Sequence, residues 1–511
     1  MLSASDLTQI QQHGISEESA KRQKKIVKKN KINVNIVRPA VTADGVFPID
    51  KEVIDAVIKT HSKRIEGKKI IKFVPASGAA TRMFNHLFIA YEKLSKNKKN
   101  NNYAESVSIF FDNLPKFAFF EPLKESLKKD DLDIDKLLQE KKHFPILQYL
   151  LTEKGLNYGN FPKGLLPFHR YDDYIRTALE EHLIEAVDYA WDGDNIARLH
   201  FTVSSEHVNA FKSHCQQIVP KYEKLYGITY KIDFSTQHPS TDTIAFSTDN
   251  TPFRDKNEGL VFRPGGHGSL IENLNNLDAD IIVIRNIDNV SLNIYGSETM
   301  VYKKWIICFL VCLINRVSEY LTMFDAGACS LEDIAKVEFF LKKILFVQLK
   351  KSYFNLSLSD KQAYLYRFLH RPMRVCGIVK RENEPGGAPF WVKDKKWGES
   401  LQIVETSEIN FSDHKQRAIF ENSDFFNPVD VACYIKNHRG EKFNLQDFVD
   451  YSRYFVSEKS HENKIIKAIE NPGLWNGAMA DWLTVFLTVP LSTFSPVKTV
   501  NDLLRKEHVK N

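Results

Sequence analysis

Cysteine is scarce. The 511 residues hold six (Cys215, Cys308, Cys312, Cys329, Cys376 and Cys433), scattered and without a Cys-x-x-Cys pair. That excludes a disulfide-framed scaffold and a thioredoxin-like motif, and it suits reduced thiols in a cytoplasmic protein. With only 22 glycines and 19 prolines the chain is not collagen-like or of low complexity. Neither sign of charge dominates: 70 Lys and Arg against 64 Asp and Glu leave +6, too little over this length to argue for nucleic acid by itself. Long apolar runs are missing too. The most apolar stretch, Trp305 to Ile314, is about half of what a bilayer span needs, so no membrane is expected as a partner. The opening Met1-Leu-Ser-Ala-Ser-Asp6 has no basic segment followed by an apolar one, and we expect no secretory signal. His-Glu-x-x-His and Gly-x-Ser-x-Gly are both missing, which leaves hydrolase readings little footing.

What is present is an ordinary folding composition, 43% hydrophobic and 26% charged, enough for about three domain-sized units or one large α/β domain with insertions. The first 35 or so residues read as polar helix. They include the basic run Lys21–Lys31, which is either a phosphate-touching segment or a solvated helix face. A helix is expected after Pro48, then a short apolar strand, Ile70–Val74, that runs into Pro75-Ala-Ser-Gly-Ala-Ala-Thr81 and a helix from Arg82 to Leu94. Residues 95–155 begin with a Lys/Asn-rich loop and continue as charged helical segments, read as an inserted helical subdomain. From Ala197 short strands alternate with helices, a pattern of an α/β sheet buried on both faces. Residues 301–370 are mainly helical, and Cys308 and Cys312, one turn apart, read as core rather than as a metal pair. Strand-like patterning returns from Arg374.

Six stretches carry the chemistry, two of them within residues 262–289. Small residues in Ala76-Ser77-Gly78, ahead of a helix, allow backbone N–H groups to approach an anion, with Arg82 as a bidentate phosphate contact. The same residues also serve a tight strand-to-helix turn. Lys163 stands in Pro162-Lys-Gly-Leu-Leu-Pro167 and means little alone. Pro264-Gly-Gly-His-Gly268 opens a helix and permits close backbone approach, and His267 is either a ligand contact or a turn filler. The strand Ile281–Ile284 runs into Asn286-Ile-Asp-Asn289, which sets Asp288 at a sheet's C-terminal edge. A carboxylate there suits Mg²⁺ shared with phosphates, or simply caps an Asx turn. Glu405 falls inside a strand-like run, costly for a carboxylate without partners, and Lys498 stands just ahead of a helix-like Thr-Val-Asn-Asp-Leu-Leu504.

In their order along the chain these stretches resemble the UDP-sugar pyrophosphorylase family of nucleotidylyltransferases. Pro75–Met83 looks like its Gly-rich triphosphate loop, and Pro162–Pro167 matches Pro-Lys-x-Leu-x-Pro. Pro264–Gly268 and Asn286–Asn289 match the next two motifs. Gly386-Gly387 and Val404–Ile409 are similar to the sugar-side elements, and Pro496–Leu504 to the closing Pro-Val-Lys-Thr motif. The resemblance covers about residues 70–505 without the insertion. Over the whole chain the sequence also looks like a bacterial family described only as a domain of unknown function.

The resemblance implies a nucleotide-diphospho-sugar transferase-like α/β fold: a mixed, mostly parallel sheet flanked by helices, with a helical insertion. With the reading of the residues it gives an expected organisation of an N-terminal helical segment (1–65), a nucleotide-binding catalytic core (66–94 and 156–370), the helical insertion (95–155), and a sugar-phosphate-binding part of the same domain (371–511). Ala76, Ser77, Gly78, Arg82 and Lys163 would hold the triphosphate. Gln237 and Gly266, with His267 beside it, would read the base, and Asp288 would bind Mg²⁺. Gly387, Glu405 and Asn427 would face the sugar, and Lys498 the phosphates. The implied reaction joins UTP and a sugar 1-phosphate, with no nucleic-acid partner, and the rival reading is a nucleotide-sugar sensor without turnover. Two departures stand out. Ala80 replaces the loop's usual last glycine, and the stretch from Arg82 to Lys163 is far longer than usual.

Overall fold

The computed structural model describes all residues except 1, 30–33, 79, 97–103, 192–194, 294–295, 328, 383–385, 462–463 and 511. Its contacts divide the chain into two interleaved units. One holds residues 1–69, 237–283 and 304–490, the other 70–236, 284–303 and 491–511.

In the first unit a mostly parallel sheet is ordered Val41–Thr42, Gly45–Phe47, Leu483–Thr488, Met373–Lys380, Phe425–Tyr434 and Ile281–Ile284. Its first four strands pair in parallel, and Met373–Lys380 pairs antiparallel with Phe425–Tyr434. Helix packs directly on this sheet: a Cβ at Gly377 would stand 2.8 Å from Ile306 Cδ1. A separate antiparallel group holds Ala388–Asp394 and Gly398–Val404.

The second unit has three parallel strands, Ile70–Pro75, Ile196–Thr202 and Thr229–Ser235. Every residue from Ile70 to Val74 is buried, Lys72 among them. Buried on both faces, such a strand takes a near-continuous apolar run, so a lysine in its middle demands a partner. Helix Ala178–Tyr189 covers this sheet, with Tyr230 Oη donating to the Leu183 carbonyl at 3.1 Å. Residues between 104 and 151 form the helices Glu105–Asp112, Phe120–Lys128, Ile134–Gln139 and His143–Leu151 with a 3₁₀ turn at Leu114–Lys116, and the Phe110, Phe117 and Phe119 rings pack in one cluster that reaches Phe84 and Tyr158.

The expected mixed, mostly parallel α/β architecture is therefore present. Local expectations hold for the helix after Pro48, which is Lys51–Ile58 with Asp50 as its N-cap, and at Ile281–Ile284. Three expectations are corrected. Residues 1–65 are helical only at 4–12, 17–29, 51–58 and 61–65, and also carry the strands Ile36–Pro39, Val41–Thr42 and Gly45–Phe47. Trp305–Ile314 belongs to a much longer helix, Gly296–Asp325, which is long and apolar enough to cross a membrane, although half of its most apolar window is buried within the structure. Glu405 is not inside a strand. The strand ends at Val404, because the Glu405 carboxylate accepts the Glu408 N–H and the Glu408 carboxylate accepts the Glu405 N–H, a reciprocal cap that turns the chain into a 3₁₀ helix.

Candidate phosphate site and the first unit's motifs

Strand Ile70–Pro75 delivers the loop Ala76-Ser77-Gly78, and backbone bonds hold the loop on three sides. Ala76 N–H donates to Thr202 (2.8 Å), the Gly78 carbonyl accepts from Lys163 N–H (3.2 Å), and Ala80 N–H donates to Phe161 (2.9 Å). Ser77 and Gly78 are exposed, and among the described residues nothing accepts from their N–H groups. Exposed, unpaired backbone donors at a strand's end are what an anion needs. Ala80 is fully buried at the start of the 3₁₀ helix Ala80–Arg82, so its methyl packs into the interior. The substitution of the usual glycine therefore leaves the exposed part of the loop open. Arg82 is exposed and bonded by none of the described residues.

Asp288 is the meeting point of three distant segments. Arg285 N–H donates to Phe73 (3.1 Å) and Ile287 N–H to Pro75 (3.3 Å), which lays the segment before Asp288 along the loop-bearing strand. The C-terminal segment is clipped to the same place: Val497 N–H donates to the Asp288 carbonyl (2.9 Å), and Ser495 N–H to Asn289 Oδ1 (2.9 Å). Lys163 leads a 3₁₀ turn, Lys163–Leu165, and is buried. Its Nζ donates to Asp288 Oδ2 (2.9 Å) and to the Val497 carbonyl (2.8 Å). Lys498 Nζ reaches the same Oδ2 at 3.4 Å from a side chain that is 62% exposed. Burial pushes the Asp288 carboxyl up, but Lys163 and Lys498 outweigh it and hold the group below the ordinary carboxylate range. Of the predicted catalytic set, Lys163, Lys498 and Asp288 are brought together, with Gly78 bonded to the Lys163 backbone.

Behind this lies a cluster that the motifs did not reveal. Glu185 Oε2 takes Lys72 Nζ at 2.8 Å and Lys303 Nζ at 2.8 Å, with Arg285 Nε at 3.6 Å. Arg285 Nε also donates to the Asn289 carbonyl (2.6 Å), and His182 Nε2 lies 3.2 Å from the Ile287 carbonyl. Burial raises the Glu185 carboxyl, yet three cations keep it far below its usual value, while burial lowers Lys72 to about 7. The signal in the sequence was Lys72 within an apolar strand.

The remaining predicted residues all lie in the first unit. Gln237 Nε2 donates to Asp242 Oδ1 (3.3 Å). Gly266 has φ +79°, in the left-handed region, and a Cβ there would stand 3.2 Å from Glu470 Oε2. His267 lies against the Trp475 ring, with centroids 4.9 Å apart. Asn471 links these segments, donating Nδ2 to the Thr241 carbonyl (3.1 Å) and N–H to the Gly265 carbonyl (2.8 Å). Strand pairing sets Gly387 beside Glu405: a Cβ on Gly387 would stand 2.6 Å from the Val404 carbonyl and 3.0 Å from Glu405 Cα. Asn427 lies in strand Phe425–Tyr434, and its side chain is outside the described residues. Sequence reasoning missed Glu408. Its buried carboxylate accepts from Arg453 Nε and Nη2, both at 2.8 Å, and from Asn476 Nδ2 at 3.0 Å.

The described structure is thus a mixed α/β protein in which a loop of exposed backbone donors lies beside a buried lysine–aspartate pair. The chain is a member of the family described as Domain of unknown function (DUF4301), whose model matches residues 3–509. No curated protein matches it in sequence. Among solved structures it is similar to the UDP-N-acetylglucosamine pyrophosphorylase of Trypanosoma brucei, at 11% identity and TM-score 0.48 over 98% of this chain and 79% of that one. It is also similar to a mutant UDP-glucose pyrophosphorylase of Leishmania major, at 13% identity and TM-score 0.44 over 99% and 79%.

Two predictions test these environments. A Cβ at Gly78 meets nothing within 4 Å, and the residue is not left-handed. Gly78→Val should therefore unfold within about 0.5 kcal/mol of wild type while binding of inorganic pyrophosphate drops, read by denaturant titration and calorimetry. Lys72, lowered from 10.5 to about 7 in the fold, binds its proton more readily in the unfolded chain across that window. Its cost to stability is full below pH 7 and fades as pH rises toward 10.5. In urea unfolding, wild type should gain stability relative to Lys72→Met between pH 7 and pH 9.5, and a flat difference would contradict the burial of the charge.

Proposed function

We propose that this protein is a cytoplasmic nucleotidylyltransferase that makes a nucleotide-sugar and pyrophosphate from UTP and a sugar 1-phosphate. The observation that carries the reading is the convergence of Lys163, Lys498 and Asp288 beside the Ala76–Gly78 loop. A sugar phosphate is mostly dianionic near neutral pH, with a second pKa of about 6, and needs no general base. One of its oxygens attacks the α-phosphorus in line, that P–O bond forms as the bond to the β-phosphate oxygen breaks, and pyrophosphate leaves with the electron pair. The protein's task is to position two anions and neutralise them. The Ser77 and Gly78 N–H groups would hold the triphosphate with Arg82, Lys163 would oppose charge beside Asp288, and Lys498, a mobile point charge, would follow the phosphates. Gln237, Gly266 and His267 would serve the base, and Gly387, Glu405 and Asn427 the sugar.

The residues fit Mg²⁺ in one specific way. Asp288 is a single carboxylate whose Oδ2 carries both lysines and whose Oδ1 has no bonded partner among the described residues. No group of three His, Cys, Asp or Glu among those residues is arranged to hold a metal. That is no protein cage, but it suits an ion brought by the triphosphate, since Mg²⁺ commonly takes one or two carboxylates plus phosphates. When bound, Mg²⁺ would supply Lewis-acid neutralisation of the phosphate oxygens.

The test is a screen of sugar 1-phosphates against four nucleoside triphosphates with Mg²⁺, read by pyrophosphate release. With an active pair in hand, Asp288→Asn should raise the barrier by about 2–4 kcal/mol, as loss of one strong electrostatic contact does, with little change in UTP affinity. A near-normal rate would remove Asp288 from the site. Lys498→Ala should cut turnover sharply but leave the melting temperature near wild type, because an exposed ion pair contributes only about 0–1 kcal/mol. Parallel loss of both would make Lys498 a structural residue.

A further inference from the structure

We propose that Glu185 is a positioning residue for the phosphate site: through Lys72 it fixes the strand that delivers Ala76–Gly78, and through Arg285 the segments that deliver Asp288 and Lys498. The inference rests on the function proposed above. Three cations on one buried carboxylate are more than charge balance requires, so what each cation is attached to matters. Lys72 is central in Ile70–Pro75, four residues before the loop, and its Nζ also donates to the His182 carbonyl at 2.9 Å. Arg285 lies three residues before Asp288. Its Nε closes the 285–289 loop on the Asn289 carbonyl (2.6 Å), and Nη2 lies 3.4 Å from the Thr493 carbonyl, on the segment that continues to Lys498. One guanidinium thus spans both segments that meet at Asp288, a reach that a lysine's single ammonium lacks. Lys303 is the internal control. It is as buried as Lys72 and as close to Glu185, at 2.8 Å, but stands on helix Gly296–Asp325, which carries none of the candidate site residues.

A merely stabilising cluster would make turnover track stability, whichever cation is removed. A positioning cluster makes it depend on which element is released. The experiment uses the full chain as wild type, Arg285→Lys, Glu185→Gln and Lys303→Met. It measures melting temperature, kcat and KM for the active substrates, and calorimetric binding of inorganic pyrophosphate. Arg285→Lys keeps the charge and is the variant chosen to fold. Its kcat and pyrophosphate affinity should each fall about tenfold or more, within the 10²-fold that a 1 Å misplacement costs, with KM for UTP rising as the loop that would hold its triphosphate shifts. Glu185→Gln, where folded, should do the same. Lys303→Met should leave kcat and pyrophosphate affinity near wild type even if its melting temperature shifts. Equal losses in Lys303→Met and Arg285→Lys, or wild-type values in Arg285→Lys, would overturn the proposal. If wild type binds pyrophosphate but turns over no substrate pair, the nucleotidylyltransferase reading fails and the binding comparison still decides the role of Glu185. If wild type binds no pyrophosphate, both fall.

Discussion

A buried carboxylate cannot stand alone, and much of the second unit follows from that constraint at Asp288. Removing one partner of a buried ion pair costs about 3–5 kcal/mol, so the Asp288–Lys163 bond at 2.9 Å is first an obligation of the fold. Lys163 meets it only because its second bond, to the Val497 carbonyl, fixes the ammonium. Val497 in turn is fixed by donating its N–H back to the Asp288 carbonyl. The two lysines on Oδ2 are therefore unequal. Lys163 is buried and doubly bonded, whereas Lys498 makes one long contact from solvent and is free to exchange its partner for an incoming anion.

The loop beside this pair shows how backbone economy leaves donors for a ligand. Paired N–H groups at Ala76 and Ala80 hold the loop's ends, and the Gly78 carbonyl is tied to Lys163. The exposed middle keeps N–H groups that folding does not consume. Because Ala80 is buried, the methyl that distinguishes it from glycine is spent on packing. The departure from the usual loop pattern thus has a structural cause within the chain and gives no support to a site without turnover.

The periodic parts of the fold were legible in the sequence. Ile70–Val74 and Ile281–Ile284 stand out as short apolar runs, and the helix after Pro48 is found as Lys51–Ile58. The meeting of Lys163, Asp288 and Lys498 was implied by motif order, although their separations of 125 and 210 residues leave no local trace of it. What could not be read is burial. Glu180, Glu181 and Glu185 are residues of a type that mostly faces solvent, yet all are buried in Ala178–Tyr189, where Tyr222, His169, Lys72 and Lys303 meet their carboxylates. Polar residues reveal a buried cluster only where the surrounding pattern forbids them, as at Lys72. Glu405 was misplaced for the opposite reason. Its strand-like neighbours hid a local cap made by two glutamates three residues apart.

Sequence distance itself costs this site little. The bond from Lys163 to Val497 spans 334 residues and the one from Lys163 to Asp288 spans 125. Loop-closure entropy grows only with the logarithm of length, about 0.6 kcal/mol per doubling, so the longer closure costs about 1 kcal/mol more than the shorter. The same arithmetic applies to the long stretch between Arg82 and Lys163, in which helix Glu105–Asp112 and the turn after it pack together through Phe110, Phe117 and Phe119. A stretch that forms its own core adds few unpaid degrees of freedom, and the strands on either side meet as before. What such a chain cannot relax is the geometry at the ends of its closures. That geometry is held by short bonds to Asp288 and Glu185, so the candidate site's parts are fixed at their meeting points whatever the length of chain between them.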